Sequence, residues 1–324
     1  MEGAQVAVVV ATYGRAALLP RLLAALAAQV DAPPYEVVVV DDASRDDTTA
    51  VLQRLAGSLD VPVRVLRLPH NRGPATARNT GWRATRAPLV AFTDDDCVPC
   101  PTWLGRLAAG LRSADIAQGR TLPDPQQEAS CGPFSRTLRI EQEDGLYQTC
   151  NIAYRRCVLE HQGGFDENFR HPAGEDTELA WRAVGSGART AFVPDAVVLH
   201  DVRPSSVLAA LRDIPRWGSV VLVVRKHPAI RGRLHSRWFW RSSHPPALAA
   251  VVGLGILGLS RRRGRLAVAA GMLAPYARLR LAREPLPATG PRRRVVLLPA
   301  ALLVDAAEVA VCAAASVRWR RLLL

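Results

Sequence analysis

A regular alternation of short apolar runs and amphipathic segments constrains the fold more than any other feature of the sequence. Four short runs with β-branched residues are too short for helices and are bounded by turn residues, as buried parallel strands are. They lie at 5–11, 35–41, 62–67 and 88–93. The amphipathic segments between them lie near 16–29, 47–57 and 74–86. This order predicts an α/β fold of βαβ units, with a mostly parallel sheet and helices on both of its faces.

Polar residues follow each strand, at the edge where open α/β sheets bind their ligands. In chain order these ends read Thr12-Tyr13-Gly14-Arg15, Asp41-Asp42, Asn71-Arg72-Gly73 and Asp94-Asp95-Asp96. Three adjacent aspartates repel one another unless a cation or hydrogen-bond donors compensate them. A divalent cation held with phosphate oxygens is the natural partner. A solvated acidic turn is the alternative for the triplet taken alone, and the aspartate pair on a second strand end makes it the weaker interpretation.

The sequence lacks the signature motifs of several other classes of protein. The first strand is followed by "ATYGRAALLP" rather than the G-x-G-x-x-G of a nicotinamide enzyme, and no P-loop occurs. Cys97 and Cys100 form a lone C-x-x-C without a second pair, which favours buried or loop cysteines over a metal or redox site. Met1-Glu2-Gly3 lacks the basic start of a signal peptide, so we expect the N-terminal part to be cytoplasmic.

Five motifs occur in one order: "VVVATYGR", "VVVVDDASRDDT", "NRGPATARNTG", "FTDDDCVP" and "GGFDENFRHPAGEDTELAWRA". Together they resemble the family-2 glycosyltransferases, inverting enzymes with the Rossmann-like GT-A fold that use nucleotide-diphospho-sugars. The resemblance covers about residues 4–202. It implies a GT-A catalytic domain over residues 1–202, followed by a separate region at 203–324.

The resemblance also implies a donor site. Tyr13 should lie against the nucleobase, and Asp42 should accept a hydrogen bond from the base, with Asp41 close by. Arg78 should lie near the donor, with a packing role in its helix as the alternative. The other donor-side positions implied are Thr12, Arg15, Asp94 and Asp95.

A metal site and a catalytic base follow from the same resemblance. Asp94 and Asp96 match the D-x-D pair, in which the last aspartate binds Mg²⁺ or Mn²⁺ and the first faces the ribose or sugar. His200 matches a histidine that adds a metal ligand in some members, and a purely structural histidine is the alternative. In "GEDTEL" the family's general base is the aspartate, here Asp176, while Glu175 is the second catalytic candidate.

Spacing alone leaves other assignments open in the same motif. Glu175 and Glu178 are i,i+3 neighbours on a helix, so either could replace Asp176 as the base. Trp181, five residues beyond Asp176, is interpreted as a core residue rather than a platform for sugar stacking.

The last third of the chain has a different charge. Residues 1–201 hold 20 basic and 25 acidic side chains, whereas residues 202–324 hold 22 basic and four acidic ones, a net charge of +18. Apolar stretches at 247–259, 266–277 and 295–317 lie between arginine clusters that include Arg261 to Arg263. This pattern predicts an all-α region bound to an anionic membrane surface through short re-entrant or interfacial segments. Spanning helices and a soluble helical subdomain are the alternatives.

The sequence therefore predicts an inverting glycosyltransferase with a divalent metal, acting on a hydroxyl acceptor that is lipid-linked or part of a cell-envelope glycan. A catalytically silent GT-A scaffold is one alternative. A basic nucleic-acid-binding protein is another, since the isoelectric point is about 10.6. The apolar stretches and the strand-end aspartates argue against nucleic acid as a partner.

Overall fold

A computed structural model describes residues 3–169, 171–259, 263–282 and 291–324. Met1, Glu2 and the flanking arginines Arg261 and Arg262 lie outside these ranges. The chain divides into two compact units. The first comprises Met1–Pro125 with Thr137–Asp201, and the second comprises Gln126–Arg136 with Val202–Leu324. The excursion of Gln126–Arg136 into the second unit was not predicted from the sequence.

The first unit contains an eight-stranded sheet with strand order β3-β2-β1-β4-β7-β6-β8-β5. The strands are β1 Val6–Thr12, β2 Tyr35–Asp41, β3 Val63–Arg67, β4 Leu89–Thr93, β5 Cys97–Pro99, β6 Ile116–Pro123, β7 Asn151–Arg155 and β8 Thr190–His200. The first four strands pair in parallel, as predicted. Antiparallel pairing enters where β7 lies between β4 and β6, and where β5 pairs with β8. The sheet is therefore mixed.

Helices cover both faces of this sheet, which confirms the predicted α/β architecture. They are α1 Leu19–Ala27, α2 Thr48–Ala56, α3 Pro74–Arg83, α4 Trp103–Gly110, α5 Arg156–Gln162 and α6 Glu175–Gly185. Alternate valines of β2 show the two faces directly. Val37 and Val39 lie in one hydrophobic cluster with α1 and α4, whereas Val38 and Val40 lie in another with α3 and α6.

The register of the sheet brings the polar strand ends together. Thr12 pairs with Asp41 in the parallel ladder of β1 and β2. β4, which leads into the aspartate triplet, is the other neighbour of β1. On the far edge, Cys97 pairs directly with His200 between β5 and β8. The chain turns back between β4 and β5, so the triplet lies between two strands of one sheet.

The second unit is helical in its described residues, as predicted. Its α-helices are α7 Val207–Asp213, α8 Gly218–Lys226, α9 His244–Leu259, α10 Arg265–Ala282 and α11 Pro291–Trp319. Short 3₁₀ turns occur at Glu128–Ser130, Ile214–Trp217 and Pro228–Arg233. Among the described helices, one segment, Arg294–Trp319, is long and apolar enough to cross a membrane by length and composition.

The helices α9 to α11 enclose polar side chains. Asp305 accepts hydrogen bonds from Ser243 and from Tyr276, the latter at 2.8 Å, and pairs with Arg280. One turn further along α11, a second acid, Glu308, also contacts side chains from outside that helix. Glu308 pairs with Arg241 at 2.7 Å and lies 3.3 Å from the His244 ring. Both acids, which lie within the apolar stretch 295–317 of the sequence, are buried inside the unit.

Candidate active site

Two adjacent aspartates at the end of β2 have separate tasks. Asp41 is fully buried, and its carboxylate accepts from the Ser44 amide at 2.8 Å and pairs with Arg67 at 2.7 Å. Asp42 accepts from the backbone amides of Arg72 and Gly73, both at 2.8 Å. Burial raises the pKa of Asp42 although the two amides oppose the shift. Asp41 therefore fixes the turn after β2 from within, while Asp42 fixes the loop that leads into α3.

The loop after β1 is fastened to the same turn. The amide of Gly14 donates to the Ser44 hydroxyl at 2.9 Å, and the amide of Arg15 donates to Thr48 at 3.0 Å. Gly14 has a φ of +64°, in the left-handed region that favours glycine. These bonds leave Tyr13 outside the core, with 45% of its surface exposed. An exposed aromatic on a rigid loop is suited to stacking against a planar ligand.

Two aspartates of the triplet, Asp94 and Asp95, are compensated by different groups. Asp94 accepts from the Arg78 guanidinium at 2.8 Å. Asp95 accepts from the Thr12 hydroxyl at 2.7 Å and lies 3.7 Å from Arg15. Burial, and then the neighbouring charge of Asp96, raise the pKa of Asp95 to about 7. The middle aspartate, Asp95, is thus buried and held by contacts within its own protein.

Arg78 connects two motifs that lie far apart in the sequence. Its guanidinium donates to Asp94 through one nitrogen and to Glu175 through another, each at 2.8 Å. The arginine and Glu175 are both buried. A guanidinium is rigid and planar, so it fixes the relative position of both carboxylates. The aspartate triplet and the first turn of α6 therefore belong to one site.

The two candidate bases on α6 differ in their surroundings. Glu175 is held by Arg78 through Oε1. Asp176 is half-buried, and its Oδ1 accepts from the Thr177 amide at 2.7 Å. Burial, and then the charge of Glu175, raise the pKa of Asp176 to about 7. A carboxylate that titrates near neutral pH is suited to general-base catalysis.

The third acid of this motif and its tryptophan have structural contacts. Glu178 is buried and pairs with Arg182 at 2.7 Å, one turn along the same helix. Trp181 packs beside the core, and its indole donates to the Gly145 carbonyl at 2.8 Å. These contacts match the interpretation of Trp181 as a core residue.

His200 presents one ring nitrogen to the last aspartate of the triplet. Its Nδ1 lies 2.9 Å from the Asp201 carbonyl, which can only accept, so Nδ1 carries the proton. In the neutral ring the lone pair is then on Nε2, which lies 3.7 Å from Asp96 Oδ1. A carboxylate oxygen and an imidazole nitrogen at this spacing fit a divalent ion such as Mn²⁺. The thiol of Cys97 lies in the same group, a neighbour that sequence reasoning missed because the pairing of β5 with β8 has no local signal.

Comparison with known proteins gives a consistent set of similarities. Residues 7–165 match the family described as "Glycosyl transferase family 2". The pre-mycofactocin glycosyltransferase of Mycobacterium tuberculosis is 30% identical over 244 residues, covering 69% of this chain and 48% of that protein. The succinoglycan biosynthesis protein ExoO of Rhizobium meliloti is 32% identical over 228 residues, covering 63% of this chain and 62% of that protein. The chain thus spans about half to three fifths of the length of these relatives.

The mannosyltransferase PcManGT from Pyrobaculum calidifontis, solved in complex with GDP-Man and Mn²⁺, is similar in structure. The TM-score is 0.55 at 22% sequence identity, over 99% of this chain and 88% of that one. At this identity the likeness concerns the fold, and it confirms the GT-A architecture predicted for the first unit.

Proposed function

The chain belongs to glycosyl transferase family 2 through residues 7–165, and we propose on that premise that it transfers a sugar from a nucleotide-diphospho-sugar to a hydroxyl acceptor with inversion. One observation carries this proposal: the Arg78 guanidinium binds Asp94 and Glu175 at the same time, at 2.8 Å each. Such a bridge keeps the groups for the donor and the group for the acceptor within one cleft, as a direct displacement requires.

The donor is bound, in this proposal, along the strand ends. Tyr13 stacks on the nucleobase, and Asp42 accepts from it while holding the loop before α3 in place. Asp94 faces the ribose or sugar, and its hydrogen bond from Arg78 fixes the orientation of its carboxylate. Thr12 and Arg15 keep Asp95 in position beneath the diphosphate. Asp41 stays a predicted donor-side residue whose own contacts are internal.

A divalent ion, Mg²⁺ or Mn²⁺, is the proposed cofactor. Asp96 and His200 would hold it, with Asp94 as the further carboxylate of the motif. When bound, it would stabilise the negative charge that develops on the leaving diphosphate. The protein fixes this pair of ligands in advance, because the bond of His200 Nδ1 to the Asp201 carbonyl orients the ring.

Asp176 is the proposed general base. Its deprotonated oxygen removes the proton of the acceptor hydroxyl while that oxygen attacks the anomeric carbon from the face opposite the diphosphate. One displacement of this kind inverts the anomeric centre and forms no covalent enzyme intermediate. A well-placed base contributes about 10²–10⁴-fold to such a step. Glu175, committed to Arg78, acts as a positioning residue rather than as the base.

We further propose that the acceptor is lipid-linked or belongs to a cell-envelope glycan, and that the second unit binds the membrane. Several large apolar side chains of its helices face outward while two acids are enclosed: Leu259, Leu266 and Val317 are 70–90% exposed, whereas Asp305 and Glu308 are buried. Exposed apolar side chains and acids that face the interior of a helix bundle suit a lipid environment. The charge of +18 over residues 202–324 adds attraction to anionic lipids, at about 1 kcal/mol per arginine near the surface.

Tryptophan–arginine pairs in the same unit support an interfacial position. Arg216 lies 4.6 Å from the centre of the Trp217 ring, and Arg231 lies 4.7 Å from that of Trp238. Both side-chain types concentrate where bilayer meets water. In this proposal the catalytic unit remains in the cytoplasm, where nucleotide sugars are made.

The direct test is donor binding to the full-length protein. UDP-, GDP- and dTDP-sugars are screened for thermal stabilisation with and without Mn²⁺, followed by assays of sugar release. A donor at 100 times its Kd should stabilise the protein by about 2.7 kcal/mol, which corresponds to roughly 5–10 °C for a domain of this size.

Two variants make the donor test specific. Asp96→Asn should lose the Mn²⁺-dependent part of the stabilisation, and Asp60→Asn, an exposed carboxylate change elsewhere, should keep it. If no donor stabilises the wild-type protein under either condition, the transferase proposal is wrong.

A further inference from the structure

Cys97 lies beside the two residues proposed to hold the metal. It pairs with His200 in the antiparallel register of β5 and β8, and directly opposed residues project from the same face of a sheet. The Cys97 sulfur lies 3.9 Å from Asp96 Oδ1, and His200 Nε2 lies 3.7 Å from the same oxygen. All three ligand atoms lie within 4.8 Å of one another. The start of β5 and the end of β8 therefore bring three possible ligand atoms close together.

These distances are close to those of a real metal centre. Donors arranged tetrahedrally around Zn²⁺ at about 2.0–2.3 Å lie about 3.5 Å from one another. The distances of the Asp96 oxygen to the His200 nitrogen and to the Cys97 sulfur, 3.7 and 3.9 Å, are already near this value. The distance between the nitrogen and the sulfur is no more than 4.8 Å, so it needs a closure of at most about 1.3 Å. Asp96, Cys97 and His200 are each less than 10% exposed, so the site is shielded from bulk water.

We propose that Asp96, Cys97 and His200 form a site for thiophilic divalent ions such as Zn²⁺, Co²⁺ or Cd²⁺, and that Cys97 determines which ions the centre accepts. The inference rests on the proposed function in sharing Asp96 and His200 with the donor's metal. Hard ions such as Mg²⁺ and Mn²⁺ bind through oxygen and nitrogen and gain little from sulfur, whereas softer ions gain strongly. Binding of a soft ion replaces the S–H bond of Cys97 with an S–metal bond and releases one proton to solvent.

The fourth position of such an ion has no ligand from these three residues. A water molecule or a phosphate oxygen of the donor can fill it. Zn²⁺ held by sulfur, imidazole and carboxylate would occupy the place where Mn²⁺ is needed and would compete with it. Cys97 thus makes the centre sensitive to trace zinc, a property that a serine at this position would remove.

Cobalt provides a readout that does not depend on transfer activity. Co²⁺ is titrated into the metal-free full-length protein while the near-ultraviolet thiolate-to-cobalt absorption is recorded. The wild-type protein should show this band, and Cys97→Ser should lack it and bind Co²⁺ about tenfold or more weakly. Mn²⁺ affinity should change by less than about twofold, because oxygen and nitrogen ligands remain. Cys100→Ser, the other cysteine of the pair, is the matched control and should keep the band.

A second measurement covers the case in which Cys97→Ser fails to fold. X-ray absorption at the zinc edge of the loaded wild-type protein should show one sulfur at about 2.3 Å with nitrogen and oxygen at about 2.0–2.2 Å. Absence of sulfur from the zinc shell, or a cobalt band that persists in Cys97→Ser, would overturn the proposal.

Donor stabilisation with Mn²⁺, measured on the same samples, separates this inference from the proposed function. A protein that binds donor without a cobalt band refutes the thiolate site alone. One that shows the band without binding any donor supports the site and refutes the transferase proposal.

Discussion

Removing the Arg78 guanidinium should destabilise the first unit far more than the loss of an ordinary surface arginine. The side chains of Arg78 and Glu175 are 6% and 3% exposed, so Arg78→Met leaves the Glu175 charge buried without its partner. Breaking a buried ion pair in this way costs about 3–5 kcal/mol. Asp94 is 29% exposed and better solvated, so its lost contact adds less than about 1 kcal/mol.

The expected total is about 4 kcal/mol, which lowers the unfolding temperature by roughly 8–16 °C at about 2–4 °C per kcal/mol. Denaturant and thermal unfolding of the full-length protein measure it. Arg189→Met is the matched control, since this arginine is 69% exposed and lies 3.6 Å from Asp115. Its loss should change the free energy of unfolding by less than about 1 kcal/mol.

A double substitution tests the cause. The double variant Arg78→Met/Glu175→Gln lacks both the guanidinium and the buried carboxylate charge. It should therefore be more stable than the single variant Arg78→Met by about 2 kcal/mol or more. Two results would show that the guanidinium is not the link between the two motifs. One is a free energy of unfolding of Arg78→Met within about 1 kcal/mol of the wild type, and the other is no gain in stability when Glu175→Gln is added to it.

Four further predictions follow from the site and the second unit. Asp176→Asn should keep donor binding while transfer falls by about 10²–10⁴-fold, and an equal loss of donor affinity would place Asp176 in the donor site instead. Because the pKa of Asp176 is raised to about 7, its basic form is lost as the pH falls through that value, so kcat/KM should rise with pH and level off above about 7. Asp95, whose pKa burial also raises to about 7, binds its proton more tightly in the folded state, so stability should fall as the pH rises from about 4 to 7, and Asp95→Asn should remove that part of the dependence. The full-length protein should sediment with membranes and resist high-salt extraction, and complete release by salt would reduce the attachment of residues 202–324 to electrostatics.

The sequence predicted the parallel half of the sheet because its signals are local. Each strand from β1 to β4 is a short Val-rich or apolar run with a turn at its end, and each intervening helix has its own amphipathic pattern. The strand-end rule then selected the polar residues of the site. Nothing in a single strand end, however, distinguishes Asp41, which is buried and pairs with Arg67, from Asp42, which fixes a neighbouring loop.

Contacts between distant segments could not be obtained in this way. The bond between Arg78 and Glu175 joins residues 97 positions apart, and the pairing of Cys97 with His200 depends on a three-residue strand at the sheet edge. Both arise from how the antiparallel strands are added to the parallel ones. The sequence suggested the residues, and the topology decided which of them meet.

The buried acids of α11 affect how the second unit can assemble during synthesis. An Asp at the centre of an isolated membrane helix costs about 2.5–3.5 kcal/mol to insert, so α11 is a poor candidate for entering lipid alone. The partners of Asp305 and Glu308 lie on segments that precede them in the chain, Arg241 to His244 and Tyr276 to Arg280. During synthesis from the N-terminus, those partners leave the ribosome first. The acidic helix therefore emerges after the groups that are able to neutralise it.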